Sequence, residues 1–378
     1  MLAPASEAEL AEAVATAAGP LAPRGGGTRA IGRAERGEVL SLARLAGVEF
    51  YEPGALTIVL RAGTPLADVE RVLAREGQRL PFEPMDHRAL MGTDGTPTIG
   101  GVVAGNVSGP RRIQAGACRD SLIGVRFVDG TGTVIRNGGR VMKNVTGYDL
   151  VKLMAGSWGT LGVLSEVAFK VLPAAEAAAS LEIAGLTPRR AVEALATGLG
   201  SPFEVTGAAH VTEHLAGPAP RTLLRLEGFA EQVAYRTDRL AALLAPFGAV
   251  EVVRDGARVA DTWAGIRDVV PLAGRAGDVW RISVAPTDGP AVLEALGQPP
   301  AVMDWGGGLV WALLPEGTDA RAALSGIAGH ATLVRASEAT RARIATFPPE
   351  PAPLPELAAG LRARFDPRGI LNAGLLDG

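Results

Sequence analysis

Pro23-Arg-Gly-Gly-Gly-Thr28 and Thr98-Ile-Gly-Gly-Val-Val-Ala-Gly-Asn-Val-Ser-Gly109 are the two stretches that decide the fold of this chain. Neither has the Gly-x-Gly-x-x-Gly spacing of a Rossmann loop or the Gly-Lys pair of a Walker loop. Both can present consecutive backbone N–H groups with no Cβ in the way, and such concave arrays of amides bind pyrophosphate. Two of them in one region predict a long dinucleotide held at several points, which favours a flavoprotein.

The composition narrows the function further. The chain has 378 residues, which is enough for two domains, and a net charge of −3, which gives little electrostatic support for nucleic-acid binding. Its single cysteine, Cys118, excludes disulfides, cysteine-ligated zinc and an iron–sulfur cluster built from this chain alone. No apolar run reaches the roughly 18 residues of a membrane span, and the acidic N-terminus lacks a signal peptide's basic region. We therefore expect a cytoplasmic protein, and membrane association through partner subunits stays open.

The pattern of elements predicts an α+β fold in two parts. In residues 1–173, Ser6 is placed to cap a first helix, and Asp129-Gly-Thr-Gly132 predicts a hairpin between two strands. Residues 178–335 contain two successive units. The first has the order βαββαβ, which is the ferredoxin-like pattern, and the second repeats it. Two such units are expected to join into one antiparallel sheet with helices on one face. Residues 356–378 form a C-terminal tail, which we expect to return to the first part.

Five motifs in this order resemble the FAD-binding fold of the vanillyl-alcohol-oxidase (PCMH-type) family. They are Arg24-Gly-Gly-Gly-Thr28, Thr98-Ile-Gly-Gly-Val-Val-Ala104, Asp129-Gly130, Gly159-Thr-Leu-Gly-Val163 and Asp366-Pro-Arg-Gly-Ile-Leu-Asn-Ala-Gly374. Three further stretches are similar to the family of FAD-binding E subunits of bacterial glycolate oxidases: Gly109-Pro-Arg-Arg112, Gly138-Gly-Arg-Val-Met-Lys-Asn-Val-Thr-Gly-Tyr-Asp-Leu150 and Lys170-Val-Leu-Pro173. The resemblance implies a two-subdomain FAD domain over residues 1–173 and a cap domain over the flavin ring.

The resemblance also implies which residues bind FAD. The cofactor-binding candidates are Arg24, Gly25, Gly26, Gly27, Thr28, Pro97, Thr98, Gly100, Gly101, Ala104, Ser108, Gly109, Gly162, Val163 and Asn372. Thr28 stands where some relatives carry the histidine that bonds covalently to flavin. A threonine cannot form that bond, so we expect non-covalent FAD.

The catalytic residue is unknown from the sequence, and its candidates are Arg111, Arg112, Lys143 and Tyr148. The arginine pair is suited to clamping a carboxylate, or it is a solvated basic pair in a loop. Lys143 and Tyr148 can hydrogen-bond flavin or substrate, whereas Asn144 and Thr146 nearby can equally cap the helix that Tyr148 opens. His87 beside Asp86 is either a general base with an orienting carboxylate or a surface pair.

No metal site is expected. His210-Val-Thr-Glu-His214 matches a zinc-peptidase pattern, but Val211 and Thr212 favour a strand, which would turn Glu213 away from both histidines. The cap also lacks the His-x6-His metal motif of the family's D-lactate and glycolate dehydrogenases. By resemblance, a sister subunit carries that motif.

These features favour an FAD-binding subunit of a multi-subunit glycolate or D-lactate oxidase or dehydrogenase. The expected partners are a D-type flavin subunit, an iron–sulfur F-type subunit and a small 2-hydroxy acid, with no nucleic acid. Two alternatives stay open: a self-sufficient FAD-dependent dehydrogenase or oxidase of another hydroxylated substrate, and a non-catalytic scaffold subunit.

Overall fold

The structure is a computed structural model, and it describes residues 1–32, 36–139 and 147–376. Its helices are α1 Glu7–Thr16, α2 Leu66–Arg75, α3 Arg88–Met91, α4 Ile99–Ala104, α5 Arg112–Ala115, α6 Cys118–Ser121, α7 Leu150–Met154, α8 Pro188–Leu199, α9 Glu213–Ala216, α10 Ala230–Leu244, α11 Gly256–Arg267, α12 Gly289–Ala295, α13 Ala320–Ala323, α14 Glu338–Arg343 and α15 Leu354–Phe365. Its strands are β1 Leu21–Arg24, β2 Glu38–Ser41, β3 Val48–Glu52, β4 Thr57–Arg61, β5 Gln78–Arg79, β6 Leu122–Val128, β7 Val134–Gly138, β8 Val163–Lys170, β9 Leu172–Pro173, β10 Ala177–Ala184, β11 Gly207–Val211, β12 Arg221–Gly228, β13 Val250–Val253, β14 Asp278–Val284, β15 Ala301–Asp304, β16 Leu309–Leu314 and β17 Gly329–Arg335.

The small sheet of the first part has the strand order β3-β4-β8-β6-β7. The predicted hairpin is present, because β6 and β7 pair antiparallel across the turn that begins at Asp129. The Oδ1 atom of Asp129 accepts hydrogen bonds from the backbone N–H groups of Thr131 and Thr133, both at 2.9 Å. The predicted first helix is confirmed as well, since the Ser6 hydroxyl accepts a hydrogen bond from the Glu9 backbone at the start of α1.

A parallel pair, β1 and β2, supports the first glycine-rich stretch, which begins where β1 ends. The C-terminal tail lies against this pair, since Leu21 forms a parallel bridge with Leu371 and its N–H donates to the Ile370 carbonyl at 2.7 Å. Asn372 then donates its N–H to the Leu21 carbonyl at 3.0 Å. The tail therefore extends the edge of the pair that carries the glycine loop.

The large sheet contains eight of the described strands, in the order β13-β10-β12-β11-β15-β16-β14-β17. Its first four strands have the ferredoxin-like arrangement, and the other four repeat that arrangement in mirror order. The two halves join where β11 pairs antiparallel with β15, through His210 opposite Met303 and Val211 opposite Val302. The expected duplicated antiparallel sheet is confirmed.

One face of the large sheet packs on helices and the other on the first part of the chain. Leu224 and Leu226 of β12 pack with residues of α8 and α10 in one hydrophobic cluster. Leu223, on the opposite face of the same strand, belongs to a larger cluster that also contains Phe169 of β8 and Trp263 of α11. The two parts of the chain therefore share a continuous core. A domain boundary near residue 173 stays a proposal.

Candidate functional site

A cavity of about 1220 Å³ lies between the two glycine-rich stretches, the tail and the large sheet. It exceeds the roughly 300–1,000 Å³ of a typical small-molecule pocket, which suits a long ligand. Most of the predicted cofactor-binding residues line it: Arg24, Gly25, Gly26, Gly27, Thr28, Pro97, Thr98, Gly100, Gly101, Ala104, Gly162, Val163 and Asn372. These residues are far apart in the sequence, and the fold brings them together to line one cavity.

The first glycine loop is packed directly against the segment that precedes the second. A Cβ built on Gly26 would overlap the carbonyl oxygen of Thr96, and one on Gly25 would overlap the Thr98 hydroxyl. Gly27 has a φ of +68°, a conformation that residues with a side chain rarely adopt. Part of the glycine requirement in this loop is therefore set by contact between the two loops.

The second stretch starts α4, which Thr98 caps by accepting a hydrogen bond from the Gly101 N–H at 3.3 Å. Gly100 approaches Ala62 so closely that a Cβ would overlap it. Gly101 differs, because a Cβ there would meet only the Thr98 hydroxyl, at 3.2 Å. Gly101 thus presents its open side to the cavity.

Two cofactor-binding candidates lie outside the cavity lining. The Ser108 hydroxyl accepts a hydrogen bond from the Cys118 N–H at 2.9 Å and donates to the Asn106 carbonyl. The Gly109 carbonyl accepts the indole N–H of Trp305 at 3.1 Å. Both residues connect the stretch to neighbouring elements.

Arg111, Arg112 and Tyr148, the described residues among the four catalytic candidates, do not line the cavity either. Arg111 is paired with Glu227, and the guanidinium carbon of Arg112 lies 4.3 Å from the ring centroid of Trp305. The side chain of Tyr148 is 88% exposed, and Asp149 caps α7 by accepting the Lys152 N–H. Lys143 lies outside the described residues, with Asn144 and Thr146.

Sequence reasoning missed the charge of the cavity wall. Among the described lining residues, one acidic side chain, Glu338, stands against five arginines: Arg24, Arg29, Arg36, Arg335 and Arg341. Arg335 and Arg341 donate to backbone carbonyls, which include those of Leu90 and Gly32. The net positive wall suits an anionic ligand such as a pyrophosphate. Arg24 belongs to the first glycine-rich motif, but the other four arginines come from two distant segments of the sequence and show no local motif by which to find them.

His87 lines the cavity, but Asp86 does not orient it. The Asp86 carboxylate instead accepts both Nε and Nη2 of Arg88, at 3.0 and 2.7 Å. Burial, with the nearby charge of Arg29, lowers the pKa of His87 to about 3. The imidazole is therefore neutral. Neither reading of the sequence holds, because Asp86 does not orient His87 and His87 is buried rather than part of a surface pair.

The two histidines of the zinc-like pattern have different surroundings, since His210 is buried and His214, in α9, is exposed. His210 is fully buried in β11, where its Nδ1 lies 2.9 Å from the Thr222 hydroxyl. The strand ends at Val211 and Glu213 begins α9, so the prediction of a strand running through this pattern is wrong. No cluster of three potential metal ligands occurs among the described residues. In that same part of the chain, no helix has the length and apolar character required to span a bilayer.

Comparison with known proteins agrees with this geometry. A family model described as an FAD binding domain matches residues 1–138. Over 358 residues the chain is 34% identical to the glycolate oxidase subunit GlcE of Escherichia coli (strain K12), and the match covers 94% of this chain and 92% of that protein. The similarity therefore includes both the cavity and the large sheet.

More distant relatives share part of the chain. The glycolate oxidase subunit GlcD of Bacillus subtilis (strain 168) is 34% identical over 160 residues, which cover 42% of this chain and 33% of that protein. A D-lactate dehydrogenase of Anaerostipes hadrus is 32% identical over 167 residues, covering 43% of this chain and 34% of that protein. A structure of alkyldihydroxyacetonephosphate synthase superposes with a TM-score of 0.70 at 17% identity, over 98% of this chain and 76% of that one. At that identity the likeness shows the fold alone, and it confirms the expected α+β fold.

Proposed function

The chain belongs to the glycolate oxidase GlcE family of FAD-binding proteins, and from this membership we propose that it is the FAD-binding subunit of a multi-subunit 2-hydroxy-acid oxidase or dehydrogenase. In this proposal it binds FAD non-covalently and passes electrons towards an iron–sulfur partner. The substrate of the complex is a small 2-hydroxy acid such as glycolate.

The cavity is the observation that carries the proposal. Backbone N–H groups of the loop from Arg24 to Thr28 and of Thr98 to Gly101 would hold the FAD pyrophosphate, and the net positive wall would balance its charge. The open side of Gly101 leaves room for close approach of a phosphate. When bound, FAD supplies the redox chemistry, since it can accept an electron pair.

Relay of electrons fits this chain better than independent oxidation of a hydroxy acid. An efficient general base has a pKa near the working pH, and His87, the histidine in the described lining, has a pKa of about 3 because burial and Arg29 lower it. Its imidazole can accept a hydrogen bond but is a poor proton acceptor at neutral pH. A contact between Tyr148 and the flavin would favour the self-sufficient alternative, but Tyr148 is exposed and does not line the cavity.

The partners follow from what the chain lacks and from its relatives. Its single cysteine cannot ligate an iron–sulfur cluster, so onward transfer needs another protein. We propose a D-type flavin subunit, similar to the GlcD relative, as the site of substrate oxidation and an F-type iron–sulfur subunit as the electron acceptor. A cytoplasmic location, with any membrane contact made through these partners, belongs to the same proposal.

Purification of this chain alone provides the test. We expect flavin absorbance in the purified protein and little bleaching when glycolate is added anaerobically. Addition of the D-type and F-type subunits should restore glycolate-dependent dye reduction. Rapid bleaching by glycolate without partners would support the self-sufficient enzyme instead, and a protein that never binds FAD would support the scaffold alternative.

A further inference from the structure

Arg29 is held in a defined position beside the cavity. Its Nη2 donates to the carbonyl oxygen of Gly101 at 2.5 Å, and its guanidinium carbon lies 5.0 Å from the ring centroid of Trp158. The absence of a side chain at Gly105 makes space for it, since a Cβ there would overlap the guanidinium. Gly101 and Gly105 of the second glycine-rich stretch, together with Trp158 from a later segment, thus fix the Arg29 side chain in place.

The charge of Arg29 has no counter-ion in the described part of the chain. No carboxylate lies within ion-pair distance, and its buried Nε has no hydrogen-bond partner. Burial lowers the pKa of Arg29 to about 10, so the group stays charged at neutral pH. The nearby Cys118 thiol, whose pKa is raised by burial, and the imidazole of His87 are both neutral.

An unpaired cation deep in a protein is costly unless a ligand compensates it. Arg29 lies deep but keeps part of its surface open, and it lines the cavity. A guanidinium suits this task because it is always charged, presents planar donors and stacks on aromatic rings.

We propose that Arg29 supplies the counter-charge for the negatively charged part of the bound flavin nucleotide. This inference rests on the proposed function. Two parts of the cofactor can carry that charge: the pyrophosphate, which is anionic in every redox state, and the ring, which can become anionic on reduction. The guanidinium stacked on Trp158 can balance either charge. A contact with the pyrophosphate would raise the affinity for FAD, whereas a contact with the reduced ring would raise the redox potential.

The test compares Arg29→Gln, Arg29→Lys and a control, Arg189→Gln, which removes a positive charge from a side chain that is 70% exposed on α8. Deflavinated protein is titrated with FAD and with riboflavin, which has no phosphate, and the midpoint potential of the FAD-loaded form is measured. If the charge is that of the pyrophosphate, Arg29→Gln should weaken FAD binding about 10- to 100-fold and leave riboflavin binding unchanged. If it is that of the reduced ring, affinity for oxidised FAD should hold, and a tenfold weaker hold on the reduced form should lower the potential by about 30 mV.

Arg29→Lys keeps the charge, so it should retain more of the affected property than Arg29→Gln does. The inference is overturned if Gln changes neither quantity more than the Arg189→Gln control, if Lys is as impaired as Gln, or if FAD and riboflavin weaken equally. Wild-type protein that binds no FAD would instead overturn the proposed function.

Gly105→Ala gives a second route if Arg29→Gln does not fold. The added methyl group meets only the far end of the flexible Arg29 side chain, so the protein can accommodate it by displacing the guanidinium. We expect a change in the same direction as with Arg29→Gln. A folded Gly105→Ala protein with wild-type FAD affinity and potential would contradict the inference.

Discussion

The Nε atom of Arg111 donates a hydrogen bond to Oε2 of Glu227 at 2.8 Å, and Nη2 of the same side chain donates to Oε1 at 3.0 Å. This bidentate pair joins the segment after the second glycine-rich stretch to β12 of the large sheet. Arg79 also donates to Glu227, and Arg225 forms a bidentate pair with Glu83 close by. Burial alone would raise the pKa of Glu227, but the charges of Arg225 and Arg111 hold it well below its usual range. This cluster of ion pairs contributes to holding the first part of the chain against the large sheet.

Arg111→Ala should therefore lower the free energy of unfolding, by about 1–3 kcal/mol, because it leaves a buried carboxylate with fewer partners. The side chains of Arg111 and Glu227 are only 14% and 7% exposed. Arg190→Ala is the control, since its pair with Glu193 is about half exposed on both sides and should be worth under about 0.5 kcal/mol. Urea unfolding measures both. Equal losses in the two variants would mean that the buried Arg111 pair contributes no more to the free energy of unfolding than an exposed pair does.

Local sequence was enough to predict the elements but not the partners of these charges. The cap at Ser6 and the turn at Asp129 depend on neighbours within four residues, so their patterns are visible in the chain. Arg111 looked equally suited to bind a substrate carboxylate, because the carboxylate that engages it is 116 residues away. Arg29 was invisible for the same reason, since Gly101 and Trp158 reach it only in the folded protein. The glycine loops were found because close backbone approach and positive φ both require glycine, and that requirement is visible in the sequence.

Gly101→Asp should abolish FAD binding without unfolding the protein. The new side chain would enter the cavity and oppose the pyrophosphate charge at short range, whereas its Cβ meets only the Thr98 hydroxyl at 3.2 Å. An acidic residue is also favourable in the first turn of α4. Flavin absorbance of the purified variant, with circular dichroism to verify folding, makes the measurement.

A suitable control for Gly101→Asp is a glycine where an added side chain meets no neighbouring atom and where the backbone φ is not positive. Gly26→Asp is unsuitable because its Cβ would overlap the Thr96 carbonyl with or without cofactor, and Gly185 has a φ of +80° that strains any side chain. Gly256→Asp is suitable, since Gly256 is exposed at the start of α11 with no atom within 4 Å of the added Cβ. Normal flavin content in Gly101→Asp would place the phosphate elsewhere.

The flavin should be released intact when the protein is precipitated with acid. Thr28 lines the cavity, and a threonine at this position cannot form a histidyl bond to flavin. Yellow colour in the supernatant, identified as FAD by chromatography, is the expected result. Colour that remains in the washed pellet would show a covalent bond through another residue.

The titration of Asp304 should lower the free energy of unfolding as the pH rises from about 4 to about 7. Burial raises the pKa of its carboxyl group to about 7, although the Trp305 N–H donates to it at 2.7 Å, and Glu83 opposes its ionisation while Arg225 favours it. An unfolded aspartate has a pKa near 3.9. Between these values the folded state binds a proton that the unfolded state does not, so the free energy of unfolding falls as pH rises. Above about pH 7 both states are ionised and the contribution is constant.

Asp304→Asn isolates this contribution, because the amide keeps an oxygen for the Trp305 N–H and cannot titrate. Paired carboxylates such as Glu227, whose pKa is lowered, act in the opposite direction: their stabilisation is present above about pH 4.5 and is lost as the pH falls. They are common to both proteins and cancel in the comparison. We expect the stability of wild type relative to Asp304→Asn, measured by urea unfolding at pH 5, 6, 7 and 8, to decrease by up to about 1.4 kcal/mol per pH unit below pH 7 and then level off. A difference that stays constant, or grows with pH, would show that Asp304 is ionised in the folded protein throughout this range.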